Sequence, residues 1–307
     1  MIPVSEADRS PSSVRCVVCG AIKPSDDALE SAAVRSNVRR FRDETFHVWR
    51  CPTCRSIHAV EDVDLDLYYR SYPIFSGGLE PRMHPAFAGL LERLTRAGLR
   101  PEHRILDYGC GSGLFLDFLK LQGYSGAVGY DAHVERFRDP SLLSRTYDCV
   151  MSQDVLEHVD DPLALLRTFG ALVEPGGLVV IGTPDAEAID LRDPADFVHT
   201  LHAPFHRHIL SSTAVQKAAA TLGWELLRFY PTMYGNRLLP AQNPRFGLHY
   251  LRCFDDCLDL LTEPVRVNSW RFWTPATPFY ALFGFFLDRH TDVTFCFRTP
   301  AVRSAGA

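Results

Sequence analysis

Apolar positions along the chain switch repeatedly between a two-residue and a 3.6-residue period, and the switches outline a series of strands and helices. Phe87, Leu90, Leu91 and Leu94 recur at helical spacing within residues 84–98, and Gly98 supplies the stop. Residues 104–107 then read as a strand, 114–122 as a helix and 127–131 as a second strand. A third strand follows at 147–151, a helix at 163–172, and an uninterrupted apolar strand ending at Pro184. Such a strand is buried on both faces, as in a parallel sheet flanked by helices. A helix at 212–222, a strand at 224–230 and a period-two strand at 292–298 complete the series. This order predicts an α/β fold with a mostly parallel sheet.

Two intervals break the regular alternation. Only residues 133–146 separate the second strand from the third, and a single crossover needs a dozen or more residues. A helix, a strand and a second helix do not fit there, so one edge of the sheet is trimmed. Residues 231–291, rich in Trp, Phe, Tyr and Pro, stand between the last two strands. An insertion at that place predicts a lid or a substrate wall, with a dimer interface or a satellite core as structural alternatives.

The first predicted strand runs into Asp107-Tyr108-Gly109-Cys110-Gly111-Ser112-Gly113, and a helix begins at once. Glycines there allow a sharp turn and leave no Cβ where a ligand meets the main chain, and the following helix N-terminus suits an anionic group. A dinucleotide fingerprint spaces its glycines G-x-G-x-x-G, whereas these alternate at every second position behind an acid. In this the chain resembles the class I S-adenosylmethionine (SAM)-dependent methyltransferases. The resemblance implies a Rossmann-like sheet, with SAM held by Asp107, Tyr108, Gly109, Cys110, Gly111 and Gly113.

Asp131 ends the second strand about 20 residues past the loop, where a carboxylate accepts ribose hydroxyls. A turn-capping Asp is the structural alternative. The adenine-contacting residue has no clear assignment, Asp139 being the candidate in the shortened interval. Residues Ser152 to His158 follow the third strand and should border the cofactor at the carboxyl edge of the sheet, with Ser152, Gln153 and Asp154 as its contacts. Leu156-Glu157-His158-Val159 and Glu174-Pro175-Gly176-Gly177 are similar to segments of the ubiquinone-biosynthesis O-methyltransferases. The run 201–211, with His202, His206 and His208, looks like the segment preceding the next helix in the same enzymes.

Methyl transfer from a sulfonium is an in-line displacement that needs positioning, and a hydroxyl or ammonium acceptor also needs a base. His158, His206 and His208 are the candidate catalytic bases; each alternatively serves as a hydrogen-bonded supporting residue. No carboxylate or cysteine lies at ligand spacing beside His199, His202, His206 and His208, so the sequence favours these roles over metal binding.

Cys16-x-x-Cys19 is answered by Cys51-x-x-Cys54, and two such turns facing each other make a closed tetrahedral Zn²⁺ site of structural type. Buried free thiols or a redox pair are the alternatives. Residues 25–37 between them read as a helical or loop insertion and 45–50 as the strand into the second knuckle. Arg35, Arg39, Arg40, Arg42, Arg50 and Arg55 form a basic cluster that would serve RNA or an acidic carrier, or simply a solvated face.

The 307 residues allow a lead-in at 1–13, a zinc ribbon at 14–75, a SAM-binding methyltransferase core at 76–230, the insertion at 231–291, and a last core strand with tail at 292–307. A net charge of −5 argues against nucleic acid as a partner. No transmembrane run and no signal-peptide core occur, which predicts a cytoplasmic protein whose nine cysteines are thiols or metal ligands. The expected function is methylation of a small-molecule acceptor, O-methylation favoured, possible homodimer assembly included. An RNA methyltransferase and a non-catalytic zinc scaffold are the alternatives.

Overall fold

The computed structural model describes residues 15–25, 30–73 and 77–302. The predicted lead-in at 1–13 lies outside them. The first described elements are three short antiparallel strands, β1 (Ser31–Arg35), β2 (Thr45–Arg50) and β3 (Ile57–Ala59), with the helical turn α1 (Leu65–Tyr69) after them. The segment expected to be a helical or loop insertion thus contains a strand. Val34 of β1 is buried against Phe46 and Val48, and the pairing of Ser31 with Trp49 through Arg35 with Thr45 satisfies its backbone, which outweighs the weak strand propensity of Ser-Ala-Ala.

Helix α2 (His84–Arg96) leads into the main sheet: β4 (Ile105–Tyr108), α3 (Leu114–Leu121), β5 (Ala127–Tyr130), β6 (Tyr147–Gln153), α4 (Pro162–Leu172) and β7 (Val173–Pro184). The short α5 (Val198–Leu201), β8 (His208–Ile209), α6 (Ser212–Thr221) and β9 (Glu225–Tyr230) follow. After them, α7 (Pro244–Arg252) and α8 (Ala276–Phe283) lie in the insertion before β10 (Asp292–Arg298). The sheet order is β5-β4-β6-β7-β10-β9, parallel from β5 to β7, with β10 antiparallel to both its neighbours. β5 is the edge strand, as the short 133–146 interval demands. This is a Rossmann-like sheet, trimmed at one edge.

Two apolar layers sandwich it. One face buries Leu106, Val150, Val179, Ile181 and Phe295 against Leu166, Phe169 and Val215 from α4 and α6. The other buries Ile105, Met151 and Val180 against Leu90, Leu94, Phe115 and Leu119 from α2 and α3.

The cysteine-bearing segment does not stand apart. β8, from the main body of the chain, adds to the small sheet in the order β1-β2-β3-β8, pairing His58 with His208 and Ile57 with Ile209. Arg50 crosses the seam: its side chain, 2% exposed, donates to Glu30 Oε1 (2.7 Å), Arg55 O (3.1 Å), Ala186 O (2.6 Å) and Ile189 O (2.5 Å). The insertion reaches the same segment through Arg35 with Asp256 and Arg39 with Asp255 and Glu263.

Truncating Arg50 would remove the one side-chain donor to buried Ile189 O and leave buried Ala186 O with only the longer bond from Ile189 N (3.3 Å). Arg50→Met is therefore expected to lower the unfolding free energy in urea by about 3 kcal/mol. A loss below about 1 kcal/mol would show that these bonds contribute little to holding the seam.

Candidate active site

β4, β5 and β6 end at one edge, and the glycine loop lies there. Gly109 N and Cys110 N both donate to Tyr130 O (2.7 and 3.2 Å), fastening the loop to the end of β5. Gly109, Gly111 and Gly113 all have positive φ (79, 53 and 75°), the region glycine adopts at no steric cost. Their surroundings differ. A Cβ at Gly109 would come within 2.2 Å of Val155, and one at Gly113 within 2.4 Å of the Phe137 ring, whereas Gly111 faces open space. Gly113 caps α3 with no side-chain hydrogen bond, so the first amides of that helix remain available.

Asp131 supports the same loop. Its Oδ2 accepts from Gly111 N (2.9 Å) and its Oδ1 from His133 N (2.8 Å) and Val134 N (3.0 Å). The capping role is thus present, and of roughly four acceptor positions on a carboxylate one is left on Oδ2. Asp139 caps the turn at residues 140–144 by accepting from Ser141 N (3.0 Å) and is exposed.

Acids accumulate around this edge, and among the described residues they have no Lys or Arg partner. Asp107 is buried, and burial followed by the charge of Asp131 pushes its carboxyl up to about 7. Asp154, beyond β6 with a positive φ of 55°, is raised by its enclosed position and by Asp292, although solvent still reaches it. Ser152 Oγ is buried with no partner, and Gln153 Nε2 donates to Ser152 O (3.1 Å) while its side chain packs on Gly182. Cys110 is held as a thiol, burial being the first cause and Asp107 the second. Tyr108 packs against Tyr130 and Phe169, as a wall of the strand rather than a polar contact.

Beyond Asp154 the chain makes a helical turn, residues 156–158, and the histidines meet there. His158 is 4.7 Å from His206, ring to ring, and 6.2 Å from His202. Burial, then neighbouring imidazoles, keeps all three well below the usual range and so neutral. His208 is directed elsewhere: its Nδ1 lies 3.1 Å from His58 Nδ1 on the β3–β8 seam, and His58 Nε2 lies 3.1 Å from Cys16 Sγ.

Two residues of this cluster, Tyr69 and Tyr72, were not anticipated as site residues, and Glu157 was expected only to border the cofactor. Tyr69 OH lies 2.8 Å from His158 Nδ1 and its ring stacks on His133 at 4.4 Å; Tyr72 packs on His158, His202 and Phe205. Glu157 is fully buried, its Oε2 accepting from Thr183 Oγ1 (3.0 Å). The aromatic pair in residues 68–72 was the available signal, but nothing local shows that the end of the cysteine segment turns back onto the crevice.

The four cysteines converge as expected. Cys16 and Cys54 sulfurs are 3.4 Å apart and those of Cys19 and Cys51 3.6 Å, all four lying within 4.8 Å of one another. Zn–S bonds of about 2.3 Å in a tetrahedron require sulfurs about 3.8 Å apart, so the set fits that ion.

Residues 82–228 match a family model described as a methyltransferase domain. The four parallel strands and the glycine loop at their carboxyl edge all lie within the matched residues. Curated relatives include the ubiquinone biosynthesis O-methyltransferase of Xanthomonas campestris pv. campestris (strain B100), 29% identical over 104 residues, 27% of this chain and 44% of that protein. The enzyme of the same description from Cereibacter sphaeroides is 34% identical over 101 residues, 26% and 40% of the two chains. The chain therefore spans less than half the length of the curated relatives it matches. Among solved structures, a SAM-dependent methyltransferase from Archaeoglobus fulgidus is 18% identical with a TM-score of 0.43, covering 77% of this chain and 100% of that one. One from Mesorhizobium loti is 17% identical with a TM-score of 0.42, covering 68% and 97%. Among the described residues, no helix is long and apolar enough to cross a membrane.

Asp107 provides a pH test. Its folded value lies above its unfolded one, so the folded chain binds the extra proton and stability falls as pH rises from about 4 to 7. Relative to Asp107→Asn, the ligand-free wild type should lose about 2 kcal/mol between pH 5 and 8. Equal pH slopes for the two proteins would contradict this assignment.

Proposed function

We propose that the chain transfers the methyl group of SAM to an oxygen of a small-molecule acceptor. The carrying observation is the crevice at Gly111: open main chain, a free helix N-terminus beside it, and buried or enclosed acids with no Lys or Arg partner among the described residues. SAM brings a carboxylate, an ammonium and a sulfonium, a charge pattern that complements these features. The loop from Asp107 to Gly113 would hold its amino-acid end and the free acceptor position of Asp131 a ribose hydroxyl. Ser152, Gln153 and Asp154 would line the remaining side. When bound, SAM supplies an electrophilic methyl; the chain itself contributes alignment and exclusion of water.

On the acceptor side, His158 and His206 are neutral and so able to take a proton, and Tyr69 joins His158 to the crevice. The names of the matched relatives favour a hydroxyl acceptor. The RNA alternative gains no support, because Arg35, Arg39, Arg50 and Arg55 are occupied by the chain's own carboxylates.

Calorimetry with S-adenosylhomocysteine is expected to show micromolar binding, weakened at least about tenfold in Asp131→Ala. No binding to the wild type at millimolar ligand would remove the reading, and unchanged binding in the variant would remove the ribose role alone.

We propose further that Cys16, Cys19, Cys51 and Cys54 hold one structural Zn²⁺, with His58 supporting Cys16. A four-thiolate shell leaves no open position for catalysis. Elemental analysis of the purified chain should find zinc that falls by one equivalent in Cys51→Ser; no fall in that variant would refute the site.

A further inference from the structure

The histidine cluster contains polar atoms that the methyl-transfer reading leaves unexplained. Glu157 is fully buried, yet among the described residues its Oε1 has no hydrogen-bond partner. His202, 3% exposed, has no partner for Nε2. Buried polar atoms are seldom left so, because each costs desolvation that nothing returns.

Hydrogen bonds around the cluster set the direction of its lone pairs. Asp256 Oδ1 accepts from His199 Nε2 (2.8 Å), which leaves His199 Nδ1 to accept from Asn37 Nδ2 (3.1 Å). Asn37 Oδ1 then accepts from His202 Nδ1 (2.5 Å), and His202 Nε2 keeps a bare lone pair. His206 Nδ1 donates to Thr200 O (2.8 Å), leaving its Nε2 unprotonated and 3.7 Å from Glu157 Oε1. That separation is too long for a hydrogen bond. Two ligands each about 2.1 Å from one ion lie about 3.0–3.4 Å apart, so a contraction of a few tenths of an ångström would suit them.

We propose that Glu157, His158 and His206 bind a divalent first-row transition-metal ion. One donor atom from each of the first three lies within 4.8 Å of the others. Imidazole with carboxylate is the donor set of Zn²⁺, Fe²⁺, Co²⁺ and related ions, and is distinct from the four-thiolate site. The supporting shell is that of a metal centre: Thr200 O on His206 Nδ1, Thr183 Oγ1 on Glu157 Oε2, and Tyr69 OH on His158. A main-chain bond from Arg207 N to Glu157 O (2.7 Å) holds the two ligand-bearing segments together. Three protein ligands leave positions open, and the ion would take the acceptor's hydroxyl oxygen there and ease loss of its proton to water, in place of the base role given above to His158 and His206; this deepens the methyl-transfer reading and rests on it for that role alone.

The test is titration of the full-length chain, freed of metal, with Co²⁺ followed by absorption. The wild type should take up two equivalents, one with near-ultraviolet thiolate charge-transfer bands and one with visible ligand-field bands only. Glu157→Gln and His206→Ala should keep the thiolate bands and lose the second equivalent. Glu157→Gln is nearly isosteric, and its retained binding of S-adenosylhomocysteine would show that it folds. Uptake of a single, thiolate-bound equivalent by the wild type, or a second equivalent undiminished in Glu157→Gln, overturns the metal site. Absence of S-adenosylhomocysteine binding with two equivalents of cobalt retained would instead overturn the methyl-transfer reading.

Discussion

Parallel pairing of β4 with both β5 and β6 is the constraint on which the crevice depends. The registers Asp107 to Gly129 and Asp107 to Met151 bring the three carboxyl ends level, so the segments after them must leave at one edge. Each departing segment then meets its neighbour. The loop after β4 donates to Tyr130 O, Asp131 after β5 returns an acceptor to Gly111 N, and Val155 after β6 packs on Gly109. In open α/β sheets this edge is where ligands lie, because only there do backbone groups from several strands converge unpaired.

The outer wall of the crevice comes from sequence far away. Tyr69 and Tyr72 reach it because β3 pairs with β8 and Arg50 bonds to Ala186 and Ile189, which set the cysteine-bearing segment directly over the segment 185–211. The insertion closes the arrangement from a third side: Asp256 accepts from both Arg35 and His199, and Asp255 and Glu263 accept from Arg39. Three stretches widely separated in the chain thus depend on one another around the histidines. A change in any of them should be felt at His202, whose ring is tied through Asn37 to both.

Much of this was legible in the residues themselves. The strand at 292–298, the edge position of 127–130 and the convergence of four cysteines follow from periodicity, from an interval too short for a crossover and from knuckle spacing. What escaped was non-local. Residues 31–35 carry a weak strand signal that only pairing with β2 satisfies. The histidines at 199–208 show no carboxylate at ligand spacing along the chain, because Glu157 comes to them from the turn after β6, held there by the Arg207–Glu157 main-chain bond. Spacing rules detect ligands that share an element, and this cluster draws its members from the turn after β6, the segment after α5 and the cysteine-bearing segment.

The same geometry divides the acids around the crevice into two kinds. Asp131 accepts from three backbone donors and works as a fixed strut for the glycine loop. Asp107 and Glu157 have at most one side-chain donor between them, so burial drives both toward the neutral form. A chain built for stability alone would replace such carboxyls with apolar residues of similar volume, since an unpaired buried acid costs several kcal/mol. Their presence where the strands end is therefore best understood as stability given up so that positive charge, from an ammonium, a sulfonium or a metal ion, is bound strongly when it arrives.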